Sequence, residues 1–318
     1  MEHSSATGDT VRAVTTPQLS VGIPNFGALL AGNDWQQLCD VARAADEAGI
    51  DRIVVVDHVV MGPHTDNYAW GRFPTPPDAP WLEPLTVLTF LGAITSRVRL
   101  ATGILIAPLR GAAVLAKTAA TLDVLTKGRL DLGVGTGWQE EEYAAAGLDW
   151  SQRGQLLSDT LAACTALWRD TPAAVDLPTL RFSETYCVPK PVQSGGVPLW
   201  VSGTLIPPVA ERVVRWGSGW IPIMTATLDD VRAGTLSLRK AFADAGRDPE
   251  TLQVRGALPV VRDDLKQVDF GATLAGVDEL VAAGATDIHV PFQAICRDPA
   301  DAPAVFAELV SGYRTRVG

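Results

Sequence analysis

The sequence lacks any close pair of cysteines. Its four, Cys39, Cys164, Cys187 and Cys296, stand far apart in a chain of 318 residues. That spacing encodes neither a redox couple nor a thiolate metal site, so they read as buried free thiols. No group of His, Cys, Asp and Glu has ligand spacing, and no metal is expected. Long apolar runs are also missing: none approaches the ~18 residues needed to span a bilayer. Residues 1–17 are polar, without the apolar stretch of a secretory signal, and are expected to form a loose tail on a cytoplasmic protein. Basic residues are few, 26 Lys and Arg against 36 Asp and Glu, for a net charge of −10 with no offsetting basic run. That balance argues against nucleic acid or an anionic membrane as partner and leaves a small molecule.

What is present is a repeated unit. Leu19-Ser20-Val21-Gly22-Ile23 alternates like a strand, and from Trp35 the apolar Leu38, Cys39, Ala42 and Ala45 recur at helical spacing behind Asp34 as N-cap. Gly49 falls where a helix C-cap glycine belongs, and the apolar strand Ile53-Val54-Val55-Val56 follows at once. The same helix, glycine, strand join recurs at Gly128, Gly217 and Gly284. Further strands are predicted over 98–106, 198–202 and 252–258, and helices near 84–95, 112–126, 206–216, 227–246, 273–283 and 302–315. Eight alternating units predict an α/β fold, a (β/α)8 TIM barrel, as one domain over 18–318; alternation alone also suits a doubly wound open sheet. Residues 59–81 and 140–197 are too long for simple connections and read as insertions after the second and fourth strands, the latter with a helix near 153–169 and a hairpin around 181–188. Both follow C-terminal strand ends, where barrel active sites lie.

The second strand ends in Asp57-His58, a titratable pair at that rim. His58 reads either as a catalytic group or as a histidine packed under the next loop; His64 and His289 are weaker candidates. In the run Gly128-Arg129-Leu130-Asp131-Leu132-Gly133-Val134-Gly135-Thr136-Gly137-Trp138, glycines at every second position let a ligand approach the backbone at a strand end. The pattern is G-x-G-x-G in mid-chain, not the dinucleotide fingerprint. Ser202-Gly203-Thr204, between a strand and a helix start, suits a phosphate site or an ordinary turn. Tyr68, Trp70, Phe73 and Trp81 make the loop after the second strand aromatic, as suits a lid over a flat ligand or the packing of a long surface loop.

Taken together, Asp57-His58, the run 100–108, the run 119–138, the run 198–203 and Gly217-Ser218-Gly219-Trp220 resemble the luciferase-like monooxygenase superfamily, especially its F420-dependent oxidoreductase branch. The resemblance spans about residues 20 to 225. It implies a barrel with a cofactor ring at the C-terminal mouth, His58 beside the reactive carbon and Asp57 supporting it. It further implies a non-proline cis peptide at Gly103–Ile104 behind the ring, with Thr102, Gly103 and Ile104 binding the cofactor. Gly135, Thr136, Gly137 and Gln139 would then flank the ring or its side chain, and Ser202, Gly203 and Thr204 would hold the phosphate. Relatives often have Gly-Gly at Ser202-Gly203 and Asn at Gln139. Those that reduce sugar phosphates carry an acid at Trp138, which points away from that substrate class.

The resulting expectation is hydride transfer between F420 and a small organic substrate, with Tyr68, Trp70, Phe73, Trp81, Trp138 and Trp220 lining an apolar pocket. The rivals are an FMN-dependent monooxygenase of the same fold fed by a reductase, and a non-catalytic flavin-binding protein. A homodimer, and a flavin or F420 reductase as partner, are implied by the resemblance.

Overall fold

The computed structural model describes residues 16–27 and 35–318. Most of the expected tail, residues 1–15, and the expected N-cap Asp34 lie outside the described residues. In chain order the main elements are β1 (Gln18–Gly22), α1 (Trp35–Ala48), β2 (Arg52–Val55), α2 (Pro84–Ile94), β3 (Arg99–Ile106), α3 (Ala112–Leu125) and β4 (Leu130–Gly135). The second insertion supplies α4 (Glu140–Ala145), α5 (Arg153–Arg169), β5 (Ala173–Asp176) and β6 (Arg181–Thr185). Then follow β7 (Leu199–Ser202), α6 (Pro207–Trp216), β8 (Gly219–Ile221), α7 (Leu228–Asp244), β9 (Gln253–Ala257), α8 (Phe270–Ala282), β10 (Asp287–Pro291), α9 (Phe292–Ile295) and α10 (Ala302–Val317).

Eight parallel strands close into a barrel in the order β1-β10-β9-β8-β7-β4-β3-β2. Closure depends on β1, in which Val21 pairs with Ile53 on one side and Val290 on the other. The open-sheet alternative is thereby set aside. Strands such as β2 and β4 are buried along their whole length, because side chains fill the interior on one face and meet the helical ring on the other. The glycine joins have two physical causes. Gly49, Gly128 and Gly284 have φ of +89°, +83° and +97°, a conformation that reverses a helix into a strand at no steric cost only in glycine. Gly217 instead has a negative φ; a Cβ there would come within 2.8 Å of the Val213 carbonyl oxygen, so it serves close packing.

Both insertions occur where expected, with one shift. The hairpin pairs β5 antiparallel with β6, Asp176 opposite Arg181, so it occupies 173–185 rather than 181–188. Its strands turn at residues 177–180, where Leu177 and Leu180 exchange backbone hydrogen bonds. At the N-terminal end of the barrel, opposite the mouth, Arg52 is buried between Asp131 and Asp287, with Arg99 on the first carboxylate and Arg255 on the second. Trp200 lies against both interior guanidiniums, 4.9 Å from Arg52 and 5.6 Å from Arg255. Among the described residues, no helix is long and apolar enough to cross a membrane.

Candidate active site

The C-terminal ends of β2, β3, β4 and β7 surround a cavity of about 950 Å³. β3 and β4 provide its floor. The Gly103–Ile104 peptide is cis and sits where the β3–β4 register shifts between Thr102 and Leu105. Gly133 is needed beneath it, because a Cβ there would lie 2.1 Å from the Thr102 carbonyl oxygen. Gly135 and Gly137 expose backbone to the cavity. A Cβ on Gly135 would press on Ile104 at 3.2 Å, and one on Gly137, whose φ is +68°, would meet Ile106 at 2.8 Å. Tyr143 of α4 fixes this turn by donating its hydroxyl to the Thr136 carbonyl at 2.7 Å.

His58 is buried in the wall, and its partner is not Asp57. Its Nδ1 lies 3.1 Å from Glu142 Oε2 of α4, while Glu142 Oε1 accepts the Val59 backbone N–H at 2.9 Å. With Nδ1 so held, Nε2 is the ring nitrogen left for the cavity that His58 lines. Asp57 is spent elsewhere: its carboxylate accepts the Ile106 N–H at 2.8 Å and two bonds from Arg110, at 2.7 and 2.9 Å. Burial opposes the charge on Arg110, but Asp57 and then Glu83 more than offset it and raise the guanidinium above its usual range. The expectation that Asp57 supports His58 directly is therefore corrected; Asp57 locks the end of β3 to the end of β2.

Aromatic residues of the first insertion, with Trp138 of the turn after β4, surround His58. Trp81, Phe73 and Trp138 rings lie 4.7, 5.5 and 5.9 Å from the imidazole, all edge to face. Phe26 stacks on Trp81 at 4.1 Å. Tyr68 meets Trp70 and Trp138 and donates its hydroxyl across the mouth to Met224 Sδ at 3.7 Å. The loop after β2 thus reaches the loop after β8 on the other side of the barrel.

At the β7 side the cavity is lined by Ser202, Gly203 and Thr204, with Arg153 and Gly154 at the start of α5 and Arg212 of α6. The start of α6 is a poorer anion donor than the sequence suggests. Pro207 and Pro208 have no N–H, and the Gly203, Ile206 and Val209 N–H groups are bonded to Ile221, Thr204 and Ile206 carbonyls. The positive charge comes instead from arginines. Arg212 is buried, held by Ser158 Oγ at 2.9 Å and the Gly154 carbonyl at 2.8 Å. Burial pulls its guanidinium below the usual arginine range, and neighbouring Glu211 only partly offsets that. Arg153 lies over the Trp150 ring at 4.2 Å.

Three of the expected site residues do not line the cavity. Thr102 is buried under the floor, donating to the Gly133 carbonyl at 2.7 Å. Gln139 is buried and tied to the Gly62 N–H and Met61 Sδ, both at 2.6 Å, so it joins the turn after β4 to the first insertion. Trp220 is buried in the core and donates Nε1 to the Gly203 carbonyl at 2.9 Å, so it supports the Ser202–Thr204 turn from behind. His64 is exposed, and His289 points into the barrel interior with Ser20 Oγ 3.0 Å from its Nδ1.

The luciferase-like monooxygenase family model matches residues 18–269. The chain belongs to that family. Over 216 residues it is 32% identical to an uncharacterised protein of Mycobacterium tuberculosis, covering 65% of this chain and 74% of that one. Phthiodiolone/phenolphthiodiolone dimycocerosates ketoreductase of the same organism is 31% identical over 195 residues, 58% of this chain and 50% of the relative. Among solved structures, monooxygenase RslO1 from Streptomyces bottropensis aligns with a TM-score of 0.78 at 18% identity, covering 95% of this chain and all of that one. An F420-dependent secondary alcohol dehydrogenase aligns at 0.74 and 16%, covering 94% and 99%. The FMN-bound oxygenating constituent of a diketocamphane monooxygenase from Pseudomonas putida aligns at 0.69 and 14%, covering 95% and 98%. At these identities the structural matches speak for the fold. This member of the luciferase-like family therefore carries an oxidoreductase scaffold that hosts deazaflavin in one neighbour and FMN in another.

Proposed function

We propose that this protein is an F420-dependent oxidoreductase that moves a hydride between the deazaflavin and a small organic substrate at the mouth of its barrel. The observation that carries the reading is His58, fixed through Nδ1 by the buried Glu142, in the wall of a cavity floored by the Gly103–Ile104 peptide and by Gly135 to Gly137. The cavity fits such a cofactor. Gly135 and Gly137 leave its floor as bare backbone, and a Cβ at either would press on the Ile104 or Ile106 side chain, as suits a flat ring lying on backbone. Arg212 has no carboxylate within ion-pair distance among the described residues, nor has Arg153, and a buried cation without a counter-charge favours an anion such as a phosphate or the acidic tail of a deazaflavin.

When bound, F420 supplies a carbon that accepts or gives hydride without activating oxygen readily. The protein's own contribution is placement and proton handling. Glu142 keeps the proton of neutral His58 on Nδ1, so Nε2 can take a proton from a substrate hydroxyl or, when protonated, return one to a carbonyl oxygen. The aromatic loop after β2 keeps water from the reacting atoms. Arg153, Arg212, Ser202 and Thr204 bind and orient the anionic end.

The test is an anaerobic fluorescence titration of the apo-protein with oxidised F420 and with FMN. Micromolar or tighter F420 binding with FMN ignored upholds the proposal; the reverse preference makes a reductase-fed FMN monooxygenase the better reading. The proposal extends to a homodimer through the α2–α3 face, where Phe90, Val114 and Leu125 are exposed large apolar side chains. Light scattering on Phe90→Asp checks it, with a monomer expected.

A further inference from the structure

We infer that the second ligand of this cavity, the substrate, is an uncharged and mainly apolar carbonyl compound or the corresponding alcohol, seated against the aromatic wall beside His58. The inference rests on the cofactor reading, since it fills the space that reading leaves open.

Charge is unevenly placed around the cavity. Its formally charged lining side chains are Asp57, Arg153 and Arg212. Arg212 reaches back to Gly154 at the start of α5, so the two arginines form one cationic end beside Ser202 of β7. His58 follows β2, and β3 and β4 separate β2 from β7 in the barrel. At the His58 end the surroundings are rings: Phe26, Phe73, Trp81 and Trp138 form a connected cluster around the imidazole. Both carboxylates at that end are already engaged: Asp57 with Arg110, which is bonded to it through both Nη atoms and to Glu83 as well, and Glu142 with His58 and the Val59 N–H. Among the described residues that line that end, no cation remains to receive an anion.

A carboxylate or phosphate on the substrate would lose its water among these rings and find no counter-charge. Two polar handles are on offer. One is His58 Nε2. The other is the Tyr68 hydroxyl, whose bond among the described residues is to a thioether at 3.7 Å, a weak acceptor that a better one displaces. Two polar handles in an otherwise aromatic pocket suit a molecule with a single oxygen function on a flat or extended apolar body.

Calorimetric titration of the full-length protein at neutral pH, alone and saturated with the cofactor, tests this with two probes of matched shape: 2-acetylnaphthalene and 2-naphthoate. The ketone is expected to bind at least ~100-fold more tightly than the carboxylate. A cation placed in the wall by Trp138→Lys, or by Trp70→Lys if the first variant does not fold, should move that ratio towards the carboxylate by ~10-fold or more. Naphthoate binding as well as the ketone, a ratio unmoved by the added lysine, or no ketone binding to a protein that binds its cofactor would each overturn the substrate class while leaving the cofactor reading intact. Ketone binding by a protein that takes up neither F420 nor FMN would uphold the class and overturn the cofactor reading.

Discussion

Glu142 spends its two carboxylate oxygens on different jobs. Oε2 faces His58 Nδ1 and Oε1 takes the Val59 N–H, so one buried side chain fixes both the imidazole tautomer and the backbone that follows it. A glutamine cannot do both, since keeping the Val59 bond turns its amide N–H towards Nδ1, which then has to accept, and the imidazole proton is driven to Nε2. Glu142→Gln is therefore expected to lower kcat ~10- to 100-fold with KM and cofactor Kd little changed, as steady-state kinetics would reveal. His58→Ala should keep cofactor affinity and lose ~10²- to 10⁴-fold in turnover; unchanged turnover would remove His58 from the chemistry. Asp57→Asn should behave differently, because its role is the two-point bond to Arg110. It is expected to lower stability by about 2–3 kcal/mol, seen as a lower Tm, without that loss of kcat. The sequence pointed to His58, but it could not tell which acid serves it: Asp57 is adjacent along the chain, and Glu142 becomes adjacent only when β4 and β2 share a barrel mouth. Arg212 gave no linear signal at all, since its meaning comes from being buried with no carboxylate at ion-pair distance among the described residues.

Elements were legible wherever periodicity ran long enough. The helices α1, α2, α3, α5, α6, α7, α8 and α10 and all eight barrel strands were predicted from apolar spacing and glycine joins. α4 was not, because Glu140-Glu141-Glu142-Tyr143-Ala144-Ala145 is too short to display a face. It nevertheless carries Glu142 and Tyr143, the residues that hold His58 and the Thr136 turn. The seam between β3 and β4 is the most constrained part of the site, and Gly133 tests it. A methyl group there would sit 2.1 Å from the Thr102 carbonyl and 2.9 Å from Ile221 Cδ1, so Gly133→Ala must push apart backbone that cannot rotate away. The expected cost is about 2–3 kcal/mol, with weakened cofactor affinity because the floor shifts. Gly147→Ala is the control for positive φ: at φ +70° it meets nothing within 4 Å, and it should lower Tm moderately while cofactor Kd stays put. Equal Kd values in the two variants would show that the seam does not position the floor.

At the scale of the molecule, closure joins residues nearly 270 positions apart, as Ser20 and Asp287 are, and no local pattern announces such a pairing. The ion cluster at the closed end belongs to this level. Burial alone would raise the carboxyls of Asp131 and Asp287, but Arg99 and Arg52 on the first, and Arg52 and Arg255 on the second, hold both below the usual carboxylate range. His289 shares the interior, and loss of water first and Arg255 second bring its pKa down to about 3. The signs agree. A histidine that is harder to protonate when folded leaves stability intact above the unfolded value of about 6.5 and drains it as pH falls from there towards 3. The two aspartates add stability that is present above about pH 4 and is lost as pH falls through their depressed folded values. Acid unfolding should therefore begin near pH 6, ahead of the carboxylate range. In His289→Gln, which keeps a polar partner for Ser20, the decline should start only near pH 4, and thermal melts from pH 3.5 to 8 would resolve the two curves. Coincident curves would mean that protonation of His289 does not couple to the closure of the barrel and that the aspartates alone govern its acid limit.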